Sequence, residues 1–221
     1  MQDNFELNGM KIKSIVVGPV QTNCYILSNI RTKEAIIVDP GEEAEKIISY
    51  IRSEGLAVKA VLLTHGHFDH IGAVNQVRNE FHVDVYAHEA EQDVLENSVI
   101  NCSGMSGGEP ITVFDAVLVK DGQKLSLAGF EAEVLFTPGH THGSVCYYFK
   151  KNSALFSGDT LFMESVGRTD LPTGNSSAIL KSIKEKLAVL AKETYVFTGH
   201  GSATTIGYET ANNPYMSDLD F

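Results

Sequence analysis

Four side chains within six residues are of the types that bind divalent metals. The segment Thr64-His65-Gly66-His67-Phe68-Asp69-His70 follows an apolar run and contains three imidazoles and one carboxylate. Neutral imidazole nitrogen and carboxylate oxygen are preferred ligands of Zn²⁺ and Fe²⁺. A helix N-cap would explain Asp69 alone, but it gives no reason for the three histidines. The spacing therefore predicts a metal site.

Three further apolar strands are each followed by a metal-binding side chain. These side chains are His140, Asp159 and His200, and each has a glycine next to it that allows a sharp turn. Strand ends on one edge of a sheet can converge on one point, where loops present side chains from a rigid scaffold. Five of the eight histidines of the chain fall at such positions. The sequence thus predicts a single centre built from seven side chains.

The elements that must position these residues begin with short apolar strands separated by turns, which predict an antiparallel sheet. Ile47, Ile48 and Ile51 recur at helical spacing and Gly55 follows as a stop, so an amphipathic helix is expected between two strands. The predicted strands in this half are 12–17, 24–28, 35–38, 58–63 and 83–87, and the predicted helices are 42–54, 69–78 and 88–96.

The C-terminal half repeats this arrangement, and helices outside many strands predict an α+β fold of two packed sheets flanked by helices. Residues 97–110 are rich in Gly, Ser and Asn, which indicates a long loop of the kind that often forms a lid. We expect a single domain over residues 1–221, with 1–9 as a loose N-terminal extension. The predicted strands here are 113–119, 133–136, 145–149, 154–156 and 194–197, and the predicted helix is 176–192.

Composition and charge favour a small-molecule substrate. The 28 acidic and 17 basic residues give a formal charge of -11, whereas nucleic-acid binding requires clustered Lys and Arg. The sequence contains no membrane span and no signal-peptide pattern. Cys24, Cys102 and Cys146 are widely spaced, without a Cys-x-x-Cys pair, which predicts free thiols. We therefore expect a cytoplasmic protein.

At the histidine-rich segment the chain resembles the metallo-β-lactamase superfamily, whose His-x-His-x-Asp-His signature matches His65 to His70 without a gap. The resemblance covers nearly the whole chain and implies a four-layer αββα sandwich with a metal cleft at the edges of the sheets. It also implies two divalent metal ions, with Zn²⁺ expected and Fe²⁺ or Mn²⁺ as alternatives. The implied ligands are His65, His67 and His140 for the first ion, Asp69, His70 and His200 for the second, and Asp159 as a bridge.

The chemistry implied by that arrangement is hydrolysis. Two neighbouring cations can share a water, lower its pKa and present a bridging hydroxide to an electrophilic carbonyl. Asp159 would hold both ions, and Asp69 or a metal would assist the leaving group. These two aspartates are the expected catalytic residues.

The segment Gly167-Arg168-Thr169-Asp170 resembles a motif of the glyoxalase II-like branch and of the related persulfide dioxygenases. The following Leu171-Pro172 resembles the hydrolases, which implies cleavage of a thioester such as a hydroxyacyl-glutathione. Arg168 and Asp170 are expected to pair and to brace the ligand loops. The alternatives are a mononuclear iron persulfide dioxygenase, a lactonase and a catalytically silent metal-binding module.

The sequence after His200 resembles the short bacterial forms, which lack the helical domain with which full glyoxalase II grips glutathione. Glutathione is therefore an expected thiol carrier rather than a required one. Tyr147 and Tyr148 follow the loop of His140, and one of them, with Tyr148 as our choice, is expected to line the substrate pocket. An aromatic residue in an apolar run is, however, more often part of the core.

Overall fold

The strand Thr22–Asn29 is buried along its whole length, which requires that both faces of its sheet be covered. The computed structural model describes residues 4–105 and 109–217. Within these residues four strands come first, and helices then separate several of the later strands. Two sheets and two sets of helices result, and the loops between them build the candidate site.

The first seven strands are β1 (Asn4–Leu7), β2 (Met10–Val17), β3 (Thr22–Asn29), β4 (Glu34–Val38), β5 (Ala57–Leu62), β6 (Asp84–His88) and β7 (Val117–Val119). The later strands are β8 (Lys124–Leu127), β9 (Phe130–Phe136), β10 (Val145–Phe149), β11 (Ala154–Gly158), β12 (Leu161–Phe162), β13 (Ser165–Val166), β14 (Tyr195–Thr198) and β15 (Thr204–Thr205). The α-helices are α1 (Ala44–Ser53), α2 (Phe68–Ile71), α3 (Val74–Phe81), α4 (Gln92–Glu96), α5 (Ser176–Ser182), α6 (Ile206–Asn212) and α7 (Pro214–Ser217).

The first sheet has the strand order β1-β2-β3-β4-β5-β6-β7. The strands from β1 to β4 pair in antiparallel fashion, but those from β4 to β7 are parallel. The antiparallel pairing predicted for the first strands is therefore confirmed, whereas the later strands extend the sheet in parallel. The reason is that helices connect β4 to β5 and β5 to β6, and such crossovers return the chain in the same direction.

The second sheet has the order β15-β14-β11-β10-β9-β8, and a separate hairpin joins β12 to β13. Its pairs are antiparallel except β11 with β14, whose connection contains α5. Strands β9, β11 and β14 therefore run in the same direction. Their carboxyl ends meet at one edge of the sheet, which is where His140, Asp159 and His200 were expected to converge.

Three hydrophobic clusters show that the molecule has four layers. One cluster lies between the sheets and includes Leu27, Val134 and Phe156. A second packs α1 and α3 on the outer face of the first sheet, and a third packs α5 and α6 on the outer face of the second. The expected αββα sandwich is confirmed.

The N-terminal residues that the structure describes are not a loose extension. Strand β1 pairs with β2 through a tight hairpin in which Leu7 lies opposite Met10. The two turn residues are Asn8 and Gly9, with φ of 47° and 82°. Asn-Gly is the preferred pair for such a turn because both residues tolerate positive φ. The Asn-Gly pair is therefore a local sequence signal for this hairpin, and the predicted loose extension is corrected for residues 4–9.

Several predicted elements differ in extent from the observed ones. The expected helix 69–78 is divided into α2 and α3, because the N–H of Ala73 donates to the carbonyl of Pro40 instead of to its own helix. The helix 176–192 continues beyond α5 only as a π-helical turn over Ile183–Leu187. Strand 113–119 is reduced to β7, and β8 was not predicted.

The described residues of the loop predicted over 97–110 are held to the rest of the protein by hydrogen bonds. Within it, Ser103–Met105 forms a 3₁₀ turn, and the carbonyl of Asn101 accepts a hydrogen bond from the N–H of Phe68 in α2. Residues 106–108 lie outside the described residues, and a lid function stays a prediction. Among the described residues, every helix is too short or too polar to span a bilayer.

Candidate metal centre

The seven predicted donor side chains meet at one edge of the sandwich. The segment after β5 carries His65 and His67, and α2 carries Asp69 and His70. The loops after β9, β11 and β14 supply the other three donors, which are His140, Asp159 and His200. A backbone bridge between Thr22 and His200 joins the two sheets at this edge.

The donors form three overlapping groups, in each of which the candidate ligand atoms lie within 4.8 Å of one another. The groups are His65, His67 and His140; His65, His70 and Asp159; and Asp69, His70 and His200. Asp159 lies between the first and the third of these groups. Its Oδ2 is 3.5 Å from Nε2 of His140, in the first group, and 3.5 Å from Nε2 of His200, in the third. The sequence thus correctly placed these seven side chains together.

Two buried imidazole nitrogens support the fit of a cation. Nε2 of His65 and Nε2 of His67 are inaccessible to solvent and have no hydrogen-bond partner among the described residues. A buried polar atom left without a partner is unfavourable. Five imidazoles and two carboxylates are also a suitable donor set for divalent transition metals. The residues present therefore fit a metal centre.

The protonation states differ between the two ends of the centre. Burial lowers the pKa of His65 and lowers that of His67 to about 3, so both imidazoles are neutral and able to ligate. At the other end, burial opposes charge on His200, but hydrogen bonds with Asp159 and Asp69 outweigh it and raise its pKa to about 9. Burial likewise opposes ionisation of Asp69, but the neighbouring His70 and His200 lower its pKa to about 2. Burial also opposes ionisation of Asp159, but His70 and His200 lower its pKa, so both carboxylates of the centre are ionised.

Asp39, which was not predicted as a site residue, orients one of the donors. Its Oδ2 lies 3.0 Å from Nδ1 of His70 and accepts a 2.6 Å hydrogen bond from Oγ1 of Thr64. Its Oδ1 accepts a 2.8 Å hydrogen bond from the N–H of Thr64. Asp39 directly follows the buried strand β4, so the pattern that identified the other strand ends also applied here.

Arg168 and Asp170 pair as predicted, through Nε to Oδ1 at 2.7 Å and Nη2 to Oδ2 at 2.8 Å. More than half of each side chain is exposed. The link to the centre is made by the backbone, since the carbonyl of Arg168 lies 2.8 Å from Nδ1 of His140. The geometry therefore supports bracing of His140 by the Arg168 carbonyl, while a role for the two charged side chains stays a prediction.

A cavity of about 670 Å³ opens over the centre. Its walls combine donor residues with the apolar side chains of Val20, Phe68, Phe162, Val166 and Leu171. Cys102 and Arg168 also line it, and Cys102 is one of three free cysteines, as predicted.

Tyr148 is not among the described residues that line this cavity. Its side chain packs with Ile179 and Leu187 in the cluster on the outer face of the second sheet, so our prediction that it contacts substrate is corrected. The neighbouring Tyr147 points the other way and donates a hydrogen bond to the carbonyl of Leu63 at 2.9 Å.

The fold and the donor set define a metal-binding αββα protein, and comparison with known proteins gives its family. A family model described as the metallo-beta-lactamase superfamily matches residues 17–200. The chain is 44% identical to the probable metallo-hydrolase YqgX of Bacillus subtilis, over 94% of this chain and 98% of that one. It is 37% identical to the hydroxyacylglutathione hydrolase GloC of Haemophilus influenzae, over 94% and 99%.

Two crystal structures are similar over almost their full length. The BLEG-1 B3 metallo-β-lactamase has a TM-score of 0.89 and 46% identity, covering 93% of this chain and 99% of that one. TTHA1623 in a di-iron-bound form has a TM-score of 0.82 and 36% identity, covering 91% and 98%. The chain belongs to the metallo-β-lactamase superfamily.

Proposed function

We propose that this chain hydrolyses acyl thioesters, with a hydroxyacyl-glutathione as the expected substrate, at a centre of two metal ions. The observation that carries the proposal is the overlap of the three donor groups, in which His65 and His70 are each shared by two. A single ion would leave part of this set unused. The complete second group also favours hydrolysis over the dioxygenase alternative, which needs one iron.

In this proposal His65, His67 and His140 would hold one ion, Asp69, His70 and His200 would hold the other, and Asp159 would contribute to both. When bound, such a pair of cations activates water and polarises an acyl carbonyl. The imidazole-rich set favours Zn²⁺, while the di-iron form of TTHA1623 supports Fe²⁺ as an alternative.

The residues of the chain itself orient the substrate and the donors. The apolar wall formed by Phe68, Phe162 and Leu171 contacts the acyl or thiol arm and excludes water. Oγ1 of Thr22 donates a 2.8 Å hydrogen bond to Oδ2 of Asp69 and fixes that carboxylate. Because Asp69 is ionised, it acts better as a ligand than as a proton donor. A thiolate leaving group, whose conjugate acid has a pKa of about 8.5, departs without prior protonation.

The similarity to GloC supports glutathione as the thiol carrier. A second candidate is β-lactam hydrolysis, which the 46% identity to the BLEG-1 enzyme favours. Thioester and β-lactam hydrolysis both begin with nucleophilic attack on an acyl carbonyl, and they differ in the leaving group. A cytoplasmic location is also proposed, and the three free cysteines agree with a reducing compartment.

The test is to remove metal from the protein, reload it with Zn²⁺ or Fe²⁺, and assay five substrates in parallel. These are a hydroxyacyl-glutathione, a simple acyl thioester, a lactone, a β-lactam and glutathione persulfide. We expect fastest turnover of the thioesters with two ions bound. His200→Asn should abolish it, and His82→Asn should not, because His82 is exposed and away from the centre. Turnover of persulfide with one iron, or of the β-lactam alone, would contradict the proposal.

A further inference from the structure

Glu91 is a buried carboxyl that the proposed chemistry does not use. It ends the 3₁₀ turn Glu89–Glu91 ahead of α4, and only 1% of its surface is exposed. A buried carboxyl is unfavourable unless several donors compensate it. The contacts that compensate Glu91 come from two segments that are far apart in the sequence.

One carboxyl oxygen of Glu91 contacts the first metal-binding segment. Oε1 accepts a 2.7 Å hydrogen bond from the N–H of Gly66, which lies between His65 and His67. The other oxygen contacts the loop that carries His140. Oε2 accepts a 2.8 Å hydrogen bond from Oγ1 of Thr141, and the N–H of Gly143 also donates to this carboxyl.

Both segments pack closely against the carboxyl, and each does so at a glycine. A Cβ atom on Gly143 would lie 2.4 Å from Oε2 of Glu91, and one on Gly66 would lie 3.3 Å from Oε1. Oγ1 of Thr141 is held in turn by Oγ of Ser144 at 2.7 Å. The carboxyl therefore links two closely packed loops at fixed separation.

We propose that Glu91 is a positioning residue for the first group of donors, His65, His67 and His140. It links the segment of the first two to the loop of the third and so sets their separation, while its hydrogen bonds go to backbone and hydroxyl groups and not to the imidazoles. The second group, Asp69, His70 and His200, does not include the loop of Thr141 and should be insensitive to Glu91. This inference rests on the metal centre of the proposed function.

Glu91→Gln tests the proposal because it preserves size but replaces one acceptor oxygen by a donor. The new NH₂ group must face the N–H of Gly66 or that of Gly143, so one of the two loops loses its partner. The matched control is Glu89→Gln, two residues away in the same turn, whose side chain is 49% exposed.

The measurement is Zn²⁺ affinity, obtained by competition with a chromophoric chelator and without any substrate. Each variant is combined with His200→Ala, which isolates the first group, and with His140→Ala, which isolates the second. We expect Glu91→Gln to weaken binding at the first group by about 10- to 100-fold and to leave the second unchanged, with Glu89→Gln neutral at both. Glu91→Asp, which is too short to reach both loops, should weaken the first group as well.

Equal loss at both groups would mean that Glu91 serves overall stability, and no loss at either would mean that it positions nothing. Both results overturn the inference. Circular dichroism of the metal-free variants shows whether the fold is intact, and if Glu91→Gln does not fold, Glu91→Asp provides the same comparison. Because no substrate is used, the protein can fail to hydrolyse thioesters while this result stands.

Discussion

Asp39 acts at the scale of a single residue, by fixing which nitrogen of His70 faces the centre. Its carboxylate lies 3.0 Å from Nδ1 of His70 and is itself held by two hydrogen bonds from Thr64. A carboxylate partner keeps the proton on Nδ1 and leaves Nε2 free to bind a cation. His70 belongs to two donor groups, so the orientation of this one ring matters for both.

We predict that Asp39→Asn weakens metal binding by about 10- to 100-fold, because the amide cannot accept all three hydrogen bonds. Chelator competition on the otherwise unchanged protein measures the affinity. Asp84→Asn, at an exposed position on β6, is the control. Unchanged affinity in Asp39→Asn would show that the His70 ring is held in place by other contacts.

The seven donors could be predicted from the sequence because each follows an apolar strand or lies in one short motif. Neither Glu91 nor Asp39 was predicted as a site residue. Each makes its main hydrogen bond to a residue 25 positions away, and no local pattern specifies that partner. Tyr148 was misplaced for a related reason, since the alternation of a fully buried strand does not tell which sheet face meets the cavity.

At the scale of elements, the break between α2 and α3 depends on two glycines in contact. A Cβ atom on Gly72 would lie 2.2 Å from the carbonyl oxygen of Gly41, and one on Gly41 would lie 1.7 Å from the carbonyl oxygen of Asp69. The turn after β4 is thereby packed against the helix that carries Asp69 and His70.

We predict that Gly72→Ala destabilises the protein by about 1–3 kcal/mol, the usual cost of overpacking. Gly72 has ordinary helical dihedrals, with φ of -60°, so backbone strain does not contribute. Alanine is normally favoured over glycine in a helix by about 1 kcal/mol. The helix preference and the overpacking therefore change the free energy of unfolding in opposite directions. Urea unfolding of the metal-free protein measures this change, and stabilisation by Gly72→Ala would contradict the observed contact.

A second link between elements joins the turn before β8 to the π-helical turn after α5. Asp121 accepts a 2.6 Å hydrogen bond from Nζ of Lys186 and a 2.9 Å one from the N–H of Phe136. Burial opposes ionisation of Asp121, but these bonds outweigh it and lower its pKa from the ordinary value of an aspartate. The carboxylate therefore stabilises the fold at neutral pH.

We predict that Asp121→Asn lowers the free energy of unfolding by about 1 kcal/mol at about pH 7, a small effect because solvent screens the pair. The folded pKa lies below the unfolded one, so this stability is present above about pH 4 and is lost as the pH falls further. Thermal unfolding as a function of pH measures it, with the exposed Glu185→Gln as control. A difference between Asp121→Asn and the parent that persists in acid would contradict the assignment.

At the scale of the whole molecule, the centre lies where the two sheets are joined. The N–H of Asn23 in β3 donates to the carbonyl of Gly199 at 2.7 Å, and the hydroxyl of Tyr25 donates to the carbonyl of Thr198 at 2.7 Å. These bonds fix the loop of His200, from the second sheet, against the first sheet. These contacts thus hold the donors from both halves of the chain in fixed positions relative to one another.

The four layers could be expected from the sequence, but the order and direction of the strands could not. The parallel pairs β4 with β5 and β11 with β14 join segments separated by a helix. In this sandwich the antiparallel β3 and the parallel β11 are both buried along their whole length, so hydrophobicity does not distinguish the two directions. Strand pairing over such separations depends on packing between layers. That packing also decides which strand ends become neighbours.

The central claim is that the seven donors form one centre that needs two ions to hydrolyse a thioester. The most direct test is the rate of hydroxyacyl-glutathione hydrolysis as Zn²⁺ is added in known amounts to the metal-free protein. We predict that the rate rises until two equivalents are bound per chain and is then constant. A plateau at one equivalent, or no hydrolysis at any occupancy, would contradict it.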